Sequence, residues 1–176
     1  SLKWLGLEFQ GEPIKQSTRT ERYNEVINYL LETGNAYRCF TSSDELQRLR
    51  NGSESYLYPG IWRDRSKEEI ESKLKDGTPF TIRLRIPDSG KVDFEDLVYD
   101  KISTDISELD DFIIARSDGS PTYNLTVVID DHDMNITHVI RGEDHLSNTP
   151  KQLIIYKAMN WKLPAFGHLP MILGSD

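Results

Sequence analysis

The chain has 176 residues, with 21 Lys and Arg against 29 Asp and Glu, a formal net charge of −8. Its 37% hydrophobic content is enough for one ordinary domain, or two small ones sharing a core. No apolar run nears the roughly 20 residues that a bilayer crossing needs, and the acidic balance excludes nucleic-acid binding by bulk electrostatics, leaving only a local, shaped basic site.

Trp4-Leu5-Gly6-Leu7 is an apolar cluster in need of partners. Thr18 to Thr33 reads as an amphipathic helix, with Tyr23, Val26, Ile27, Leu30 and Leu31 at helical spacing and Gly34 closing it. Ala36 to Phe40 is a short strand. Ser42 with Glu45 has capping-box spacing ahead of a short helix carrying Leu46 and Leu49, and Ser66 with Glu69 opens another that runs through Ile70 and Leu74 to Gly77. Between them, residues 51–65 are rich in Gly, Ser, Tyr and Pro and read as an ordered loop.

From Thr78 the period changes to two. Phe80, Ile82, Leu84 and Ile86 alternate with Thr81, Arg83 and Arg85, which predicts a half-buried strand with its arginines outward. Pro87-Asp88-Ser89-Gly90 is a turn into a returning strand, Val92 to Asp96. Leu109 to Arg116 is a further strand, closed by Ser117-Asp118-Gly119-Ser120. Tyr123 to Ile129 is β-branched and reads as strand on propensity.

Thr137 to Trp161 is the stretch around which the rest is organised. Val139 and Ile140 form a short apolar run bounded by Gly142. Thr149 with Gln152 has capping-box spacing, and Pro150 sits where a first helical residue belongs, ahead of a helix that lasts until Leu163-Pro164. Arg141, Glu143, Asp144 and His145 then lie at the carboxyl end of a strand beside a helix N-terminus, where α/β proteins present ligand sites. The alternative is a strand–helix corner whose charges are merely solvated. Arg141 in particular has the fork for a bidentate carboxylate, or it pairs with Glu143 or Asp131. The acidic run Asp130, Asp131, His132, Asp133 offers oxygen ligands to a hard cation but lacks calcium-loop spacing, and reads as caps and surface charge. Cys39 is the single cysteine, which excludes an internal disulfide framework and suits a reducing compartment. With no secretory signal, the cytoplasm is the expected location.

The wording VIRGEDHLSNTPKQ, preceded by PTYNLTVVIDDHDMNITH, resembles the second half of the catalytic domain of bacterial-type glutamyl-tRNA synthetases, which are class I aminoacyl-tRNA synthetases. Weaker likeness runs from LKWLGLEFQGEPIKQSTR to AFGHLPMILGSD. The resemblance implies an α/β, Rossmann-like nucleotide-binding fold split by an α+β insertion. Residues 1–42 would belong to its first half, 43–120 to a connecting insertion that contacts the acceptor end of tRNA, and 121–176 to its second half. It also implies a helix at Tyr123 to Ile129 and a strand at Ile136 to Ile140.

The family's glutamate-contacting positions fall on Tyr123, Asn124, Leu125, Thr126, Val127 and Arg141, and the positions bordering ATP on Asp144, His145 and Ile172. Taken alone, Tyr123 reads as a core aromatic, Asp144 and His145 as first-turn residues favoured by a helix dipole, and Ile172 as a residue of a strand Met171-Ile172-Leu173 that also holds His168. Val127 has no polar side chain where some relatives carry one. His168 receives no role. Some family members bind zinc in the insertion; here Cys39 stands at the first ligand position, and Thr41, Trp62 and Asp64 at the approximate places of the others. One thiolate does not make a structural zinc site, so none is expected.

The implied reaction is ATP- and Mg²⁺-dependent activation of L-glutamate and its esterification to the 3′ end of tRNA(Glu) by a monomeric, cytoplasmic enzyme. It needs no protein nucleophile, only positioning and charge stabilisation. The two class I phosphate-handling motifs and the anticodon-binding region are not found in the sequence. The chain therefore reads as an internal piece of a catalytic region, expected to form no glutamyl-adenylate by itself. Two rival readings stand beside this one. The first is a glutamyl-queuosine-tRNA synthetase-like paralogue. The second is a non-catalytic RNA-binding module that uses the Arg83/Arg85 strand and the helix from Ser66 to Gly77 as its cradle.

Overall fold

Two sheets share one core in the computed structural model, which describes residues 2–7, 11–51 and 57–171. In chain order the elements are α1 (Thr20–Glu32), β1 (Ala36–Cys39), α2 (Ser43–Asn51), α3 (Lys67–Lys75), β2 (Thr81–Leu84), β3 (Lys91–Asp96), β4 (Asp100–Asp105), β5 (Ile113–Ala115), α4 (Tyr123–Asp133), β6 (His138–Gly142), α5 (Thr149–Ala158) and β7 (Ala165–Leu169). The first sheet is antiparallel, in the order β1-β2-β5. The second runs β4-β3-β7-β6. Within it β3 and β4 form a hairpin, β3 meets β7 in parallel at Asp96 and Phe166, and β6 and β7 pair in parallel along their length. Strands from distant parts of the chain are thus stitched together, Ala36 opposite Leu84 in one sheet and Asp96 opposite Phe166 in the other.

The core lies between the sheets and α1, α4 and α5. Leu30, Leu84, Ile114, Leu125, Ile129 and Ile155 are its most buried aliphatic residues. Helix α1 contributes Tyr23, Val26, Ile27 and Leu30, the stripe expected of its spacing, and Gly34 leaves it with a φ of +73°, a conformation in which glycine carries no Cβ penalty. Helix α3 buries no residue and depends on local bonds. Ser66 and Glu69 form the anticipated capping box, each side chain bonded to the other's backbone N–H. Ser42 and Glu45 do the same at the start of α2. The 3₁₀ turn Leu2–Leu5 leaves Trp4 and Leu5 exposed.

One expectation drawn from the resemblance is met and several others are corrected. Residues 123–133 form a helix, as the family resemblance implies and against strand propensity, because Leu125, Val128 and Ile129 bury one face in the core. The strand at Val92 to Asp96 does not return against the one before it; its partners are β4 and β7. Strand β4, DKISTD, was not anticipated, since its exposed sequence shows no clear alternation. Strand β2 is covered on both faces. Arg83 is buried, its guanidinium 3.8 Å from the centre of the Tyr58 ring while Nη1 donates to the Asp111 carbonyl at 2.5 Å. It is therefore not an RNA-facing side chain.

Thr149 and Gln152 form no capping box. A 3₁₀ helix over Glu143–Asn148 leads directly into α5, Asn148 supplies no capping side-chain bond, and Thr149 is already helical. Helix α5 ends at Ala158, and Asn160 then adopts a φ of +53°. His168 lies in β7, whereas Met171 is outside any element and Ile172 and Leu173 lie outside the described residues.

Candidate functional site

The parallel register of β6 and β7 places Arg141 opposite His168, near the carboxyl ends of both strands. Arg141 donates through Nε to His168 Nε2 at 3.2 Å, and through Nη2 to Thr149 Oγ1 at 2.8 Å and Gln152 Oε1 at 3.0 Å. Three of the guanidinium's five N–H donors are thereby engaged on its inner side; those on Nη1 have no partner among the described residues. Neither expected carboxylate partner takes them. Glu143 accepts instead from the Tyr99 hydroxyl and, at 3.1 Å, from the Met171 amide. Asp131 makes no ion pair with Arg141, although it feels its charge. Burial pushes the Asp131 carboxyl up to about 6, Arg141 opposes that rise, and Asp130 adds to it.

His168 is fully buried. Its Nδ1 lies 2.6 Å from Asp96 Oδ2, and its backbone amide donates to Asp96 Oδ1 at 3.2 Å. A carboxylate can only accept, so Nδ1 carries the proton and Nε2 is left as the acceptor for Arg141 and for the Thr149 hydroxyl, 3.0 Å away. Burial opposes ionisation of Asp96. His168 and the amides of Val98, Tyr99 and His168 outweigh it and hold the carboxyl below its ordinary range. The same amide bonds fold the β3–β4 hairpin. On the other side, Gln152 Nε2 donates to Asn124 Oδ1 at 3.1 Å, which ties α5 to the first turn of α4. Asp96, Thr149, Gln152 and His168 are the participants that residue-by-residue reading overlooked. The one available signal was the Thr149/Gln152 spacing, and capping boxes use the same residue types.

The run from Tyr123 to Val127 divides by helical geometry. Tyr123 is exposed and its ring centre lies 5.8 Å from that of His145, which joins the two groups of expected ligand positions. Asn124 is half-buried on the Gln152 side. Leu125 is fully buried in the core, and no side-chain contact with a ligand is open to it. Thr126 returns its hydroxyl to the Tyr123 carbonyl at 3.1 Å. Val127 packs partly buried against the core. A cavity of about 360 Å³ between the starts of α1 and α4 is bordered by Ser17, Thr20, Pro121, Tyr123 and Thr126.

Asp144 is exposed and lies 3.6 Å from His145 Nε2. The Asp144 carboxylate folds back over Gly142, where a Cβ would fall 2.4 Å from its Oδ1, so a side chain at 142 would turn Asp144 away. Ile172 lies outside the described residues.

The acidic run at the end of α4 is not surface charge. Asp130 accepts from Arg19 Nε at 2.7 Å, Gln16 Nε2 at 3.1 Å and the Tyr23 hydroxyl at 3.0 Å. Asp133 accepts from Arg19 at 2.5 Å and twice from Arg22 at 3.0 Å. These bonds fasten α1 to α4. His132 stacks on Trp161 with ring centres 3.9 Å apart. No group of three or more metal-ligating side chains is assembled among the described residues. Cys39 is buried beside Tyr58, its thiol 3.3 Å from a hydroxyl that also meets Thr41 and the Trp62 amide. No described helix is long and apolar enough to cross a membrane.

Comparison with known proteins gives the family and the fold. The family model described as tRNA synthetases class I (E and Q), catalytic domain, matches residues 1–176. The chain is 50% identical to a glutamate–tRNA ligase of Coprothermobacter proteolyticus and 49% identical to one of Lawsonia intracellularis. In both alignments all of this chain is covered, against 39% and 37% of the relative. A crystal structure of a glutamate tRNA ligase from Elizabethkingia meningosepticum, in complex with its amino acid, superposes with a TM-score of 0.88 at 34% identity, covering 98% of this chain and 38% of that one. The chain thus spans less than two-fifths of the length of these relatives. It belongs to the class I aminoacyl-tRNA synthetase family of glutamyl and glutaminyl type, and its fold is that of the catalytic domain.

Proposed function

We propose that the protein carrying this chain is a glutamate–tRNA ligase, which activates L-glutamate with ATP and Mg²⁺ and esterifies it to the 3′ end of tRNA(Glu). The observation that carries this reading is Arg141. It stands at the carboxyl end of β6 with its inner donors held by His168, Thr149 and Gln152 and its Nη1 donors without a partner among the described residues. A cation fixed in this way suits the side-chain carboxylate of glutamate. Tyr123 and Asn124 border the same pocket, with Thr126 and Val127 behind them and Leu125 contributing shape from the core. Asp144 and His145, with Ile172, form the ATP side. The close approach of the Tyr123 and His145 rings supports a pocket in which amino acid and nucleotide meet.

The domain reading that accompanies this proposal takes 1–42 and 121–176 as parts of the nucleotide-binding fold and 43–120 as the insertion facing the tRNA acceptor end. The enzyme acts as a cytoplasmic monomer. Its residues orient the glutamate carboxylate and the ATP phosphates and stabilise charge as it develops, with no covalent step on the protein.

The test is tRNA(Glu) charging by the full-length protein with and without Arg141→Ala. The expected result is a fall of about 100-fold or more in kcat/KM for L-glutamate, the scale of a lost charge-assisted contact, with KM for ATP unchanged. Equal glutamate kinetics in the two proteins would refute the pocket.

A further inference from the structure

We propose that Gln152, acting through Arg141 and Asn124, makes the pocket select a carboxylate over a carboxamide by fixing the direction of a buried hydrogen-bond chain. This rests on the glutamate reading of the pocket given above.

The direction is set at the innermost member. Asp96 is an ionised acceptor, so His168 must present Nδ1–H to it. His168 Nε2 can then only accept, and it receives the Thr149 hydroxyl and Arg141 Nε–H. With its hydrogen committed, Thr149 Oγ1 accepts from Arg141 Nη2. Arg141 has no acceptor of its own, so the Gln152 amide must turn its oxygen toward it and its nitrogen toward Asn124. Asn124 must answer with its oxygen. Both amide orientations, which electron count alone leaves interchangeable, are therefore imposed by the partners.

What these two side chains keep for a ligand is of one kind. Arg141 retains the N–H groups of Nη1, and Asn124 retains those of Nδ2; neither nitrogen has another partner among the described residues. The two residues are bridged by a single amide group, and in this proposal their free donors face one ligand. A carboxylate accepts at both oxygens and matches them. A carboxamide brings an N–H group against a donor and leaves that donor without a partner, which costs binding as well as failing to add to it. Asn124 is thus assigned a ligand contact through Nδ2, and Gln152 is a positioning residue.

The experiment uses two isosteric variants of the full-length protein, Gln152→Glu and Asn124→Asp. It measures KM for L-glutamate in tRNA(Glu) charging and the inhibition constant of L-glutamine in the same assay. A glutamate at 152 holds Arg141 in an ion pair and turns the Asn124 oxygen outward. An aspartate at 124 keeps the Arg141 contacts but faces the ligand with an acceptor. In either variant KM for L-glutamate should rise about 10- to 100-fold, and the preference for glutamate over glutamine should narrow about tenfold or more.

Asn124 is half-exposed on a first helical turn, so its variant should fold even if Gln152→Glu does not. An unchanged preference ratio in the variants that fold, with both ligands weakened alike, would overturn the inference and reduce Gln152 to a packing role. Absence of glutamate-dependent charging in the unmodified protein is a separate outcome; it would remove the glutamate reading and this inference together.

Discussion

The two ends of α4 carry polar clusters of similar composition and opposite character. At its end, Asp130 and Asp133 meet Arg19, Arg22, Tyr23 and Gln16, and every strong group there finds a partner within the cluster. At its start, Asn124 belongs to a chain running through Gln152, Arg141, Thr149 and His168 to Asp96, and that chain terminates in donors with no partner among the described residues. The first cluster pairs its arginines with carboxylates, and the second leaves its arginine without one among the described residues. Residue type does not separate them, since each contains arginines and aspartates. Charge pairing does: Arg19 and Arg22 are paired with Asp130 and Asp133, whereas Arg141 has no carboxylate partner among the described residues, and that fixed cation marks the end of the helix proposed to take the ligand.

The sharpest way to break this contrast is Asp130→Ala. It removes the acceptor of Arg19 Nε, Gln16 and the Tyr23 hydroxyl while Arg19 keeps its bond to Asp133, and should lower unfolding free energy by about 2–3 kcal/mol, read by denaturant titration. KM for glutamate should stay within about twofold in the folded protein. A loss of glutamate affinity as large as that of Arg141→Ala would erase the distinction between the two ends.

A smaller effect, of opposite sign, is expected between them. Asp131 has its pKa raised to about 6 by burial first, despite Arg141. Between the ordinary aspartate value and about 6 the folded chain holds a proton that the unfolded chain has released, so this group's contribution falls as pH rises through that window. Asp131→Asn should therefore stabilise the protein by about 1 kcal/mol at pH 7, after allowance for partial exposure, with the gain vanishing near pH 4 in thermal melts. Asp133 behaves oppositely. Arg22 and Arg19 hold its carboxyl below the usual range, so its contribution is present above that range and is lost on acidification.

The smallest effect concerns a cluster that is wholly on the surface. Ser66→Ala removes one bond of the α3 capping box, worth about 1 kcal/mol to the helix. Because α3 buries no residue, the change should appear as faster amide exchange within Lys67–Lys75 rather than as a lower midpoint of global unfolding.

Local sequence patterns made much of this legible, and the misses have physical reasons. Helix α1 and the caps of α2 and α3 depend on neighbours a few residues away, so spacing alone finds them. Strand β4 depends on pairing with β3, and its own residues carry no period. Arg83 reads as an outward residue by alternation and is buried because the segment bearing Tyr58 covers it. The position of Arg141 at a strand end was readable from the turn that follows it. Its support was not, because Asp96, Thr149, Gln152 and His168 come together only through tertiary pairing. Thr149 and Gln152 have the spacing of a capping box, but their partner is Arg141. His168 gave no local signal at all, being a lone histidine in an apolar strand.

Strand β7 has one more implication. It is the last described strand in the chain, yet it lies between β3 and β6 in the sheet. Through it Asp96 acquires His168, and Arg141 acquires the acceptor that aligns it. During synthesis from the N-terminus, β3 and β6 must emerge and wait with these polar groups unsupported until β7 arrives to separate and join them. Assembly of the pocket is then a late event with a high loop-closure cost, and the hairpin and helices that precede it can form while the chain still has no working site.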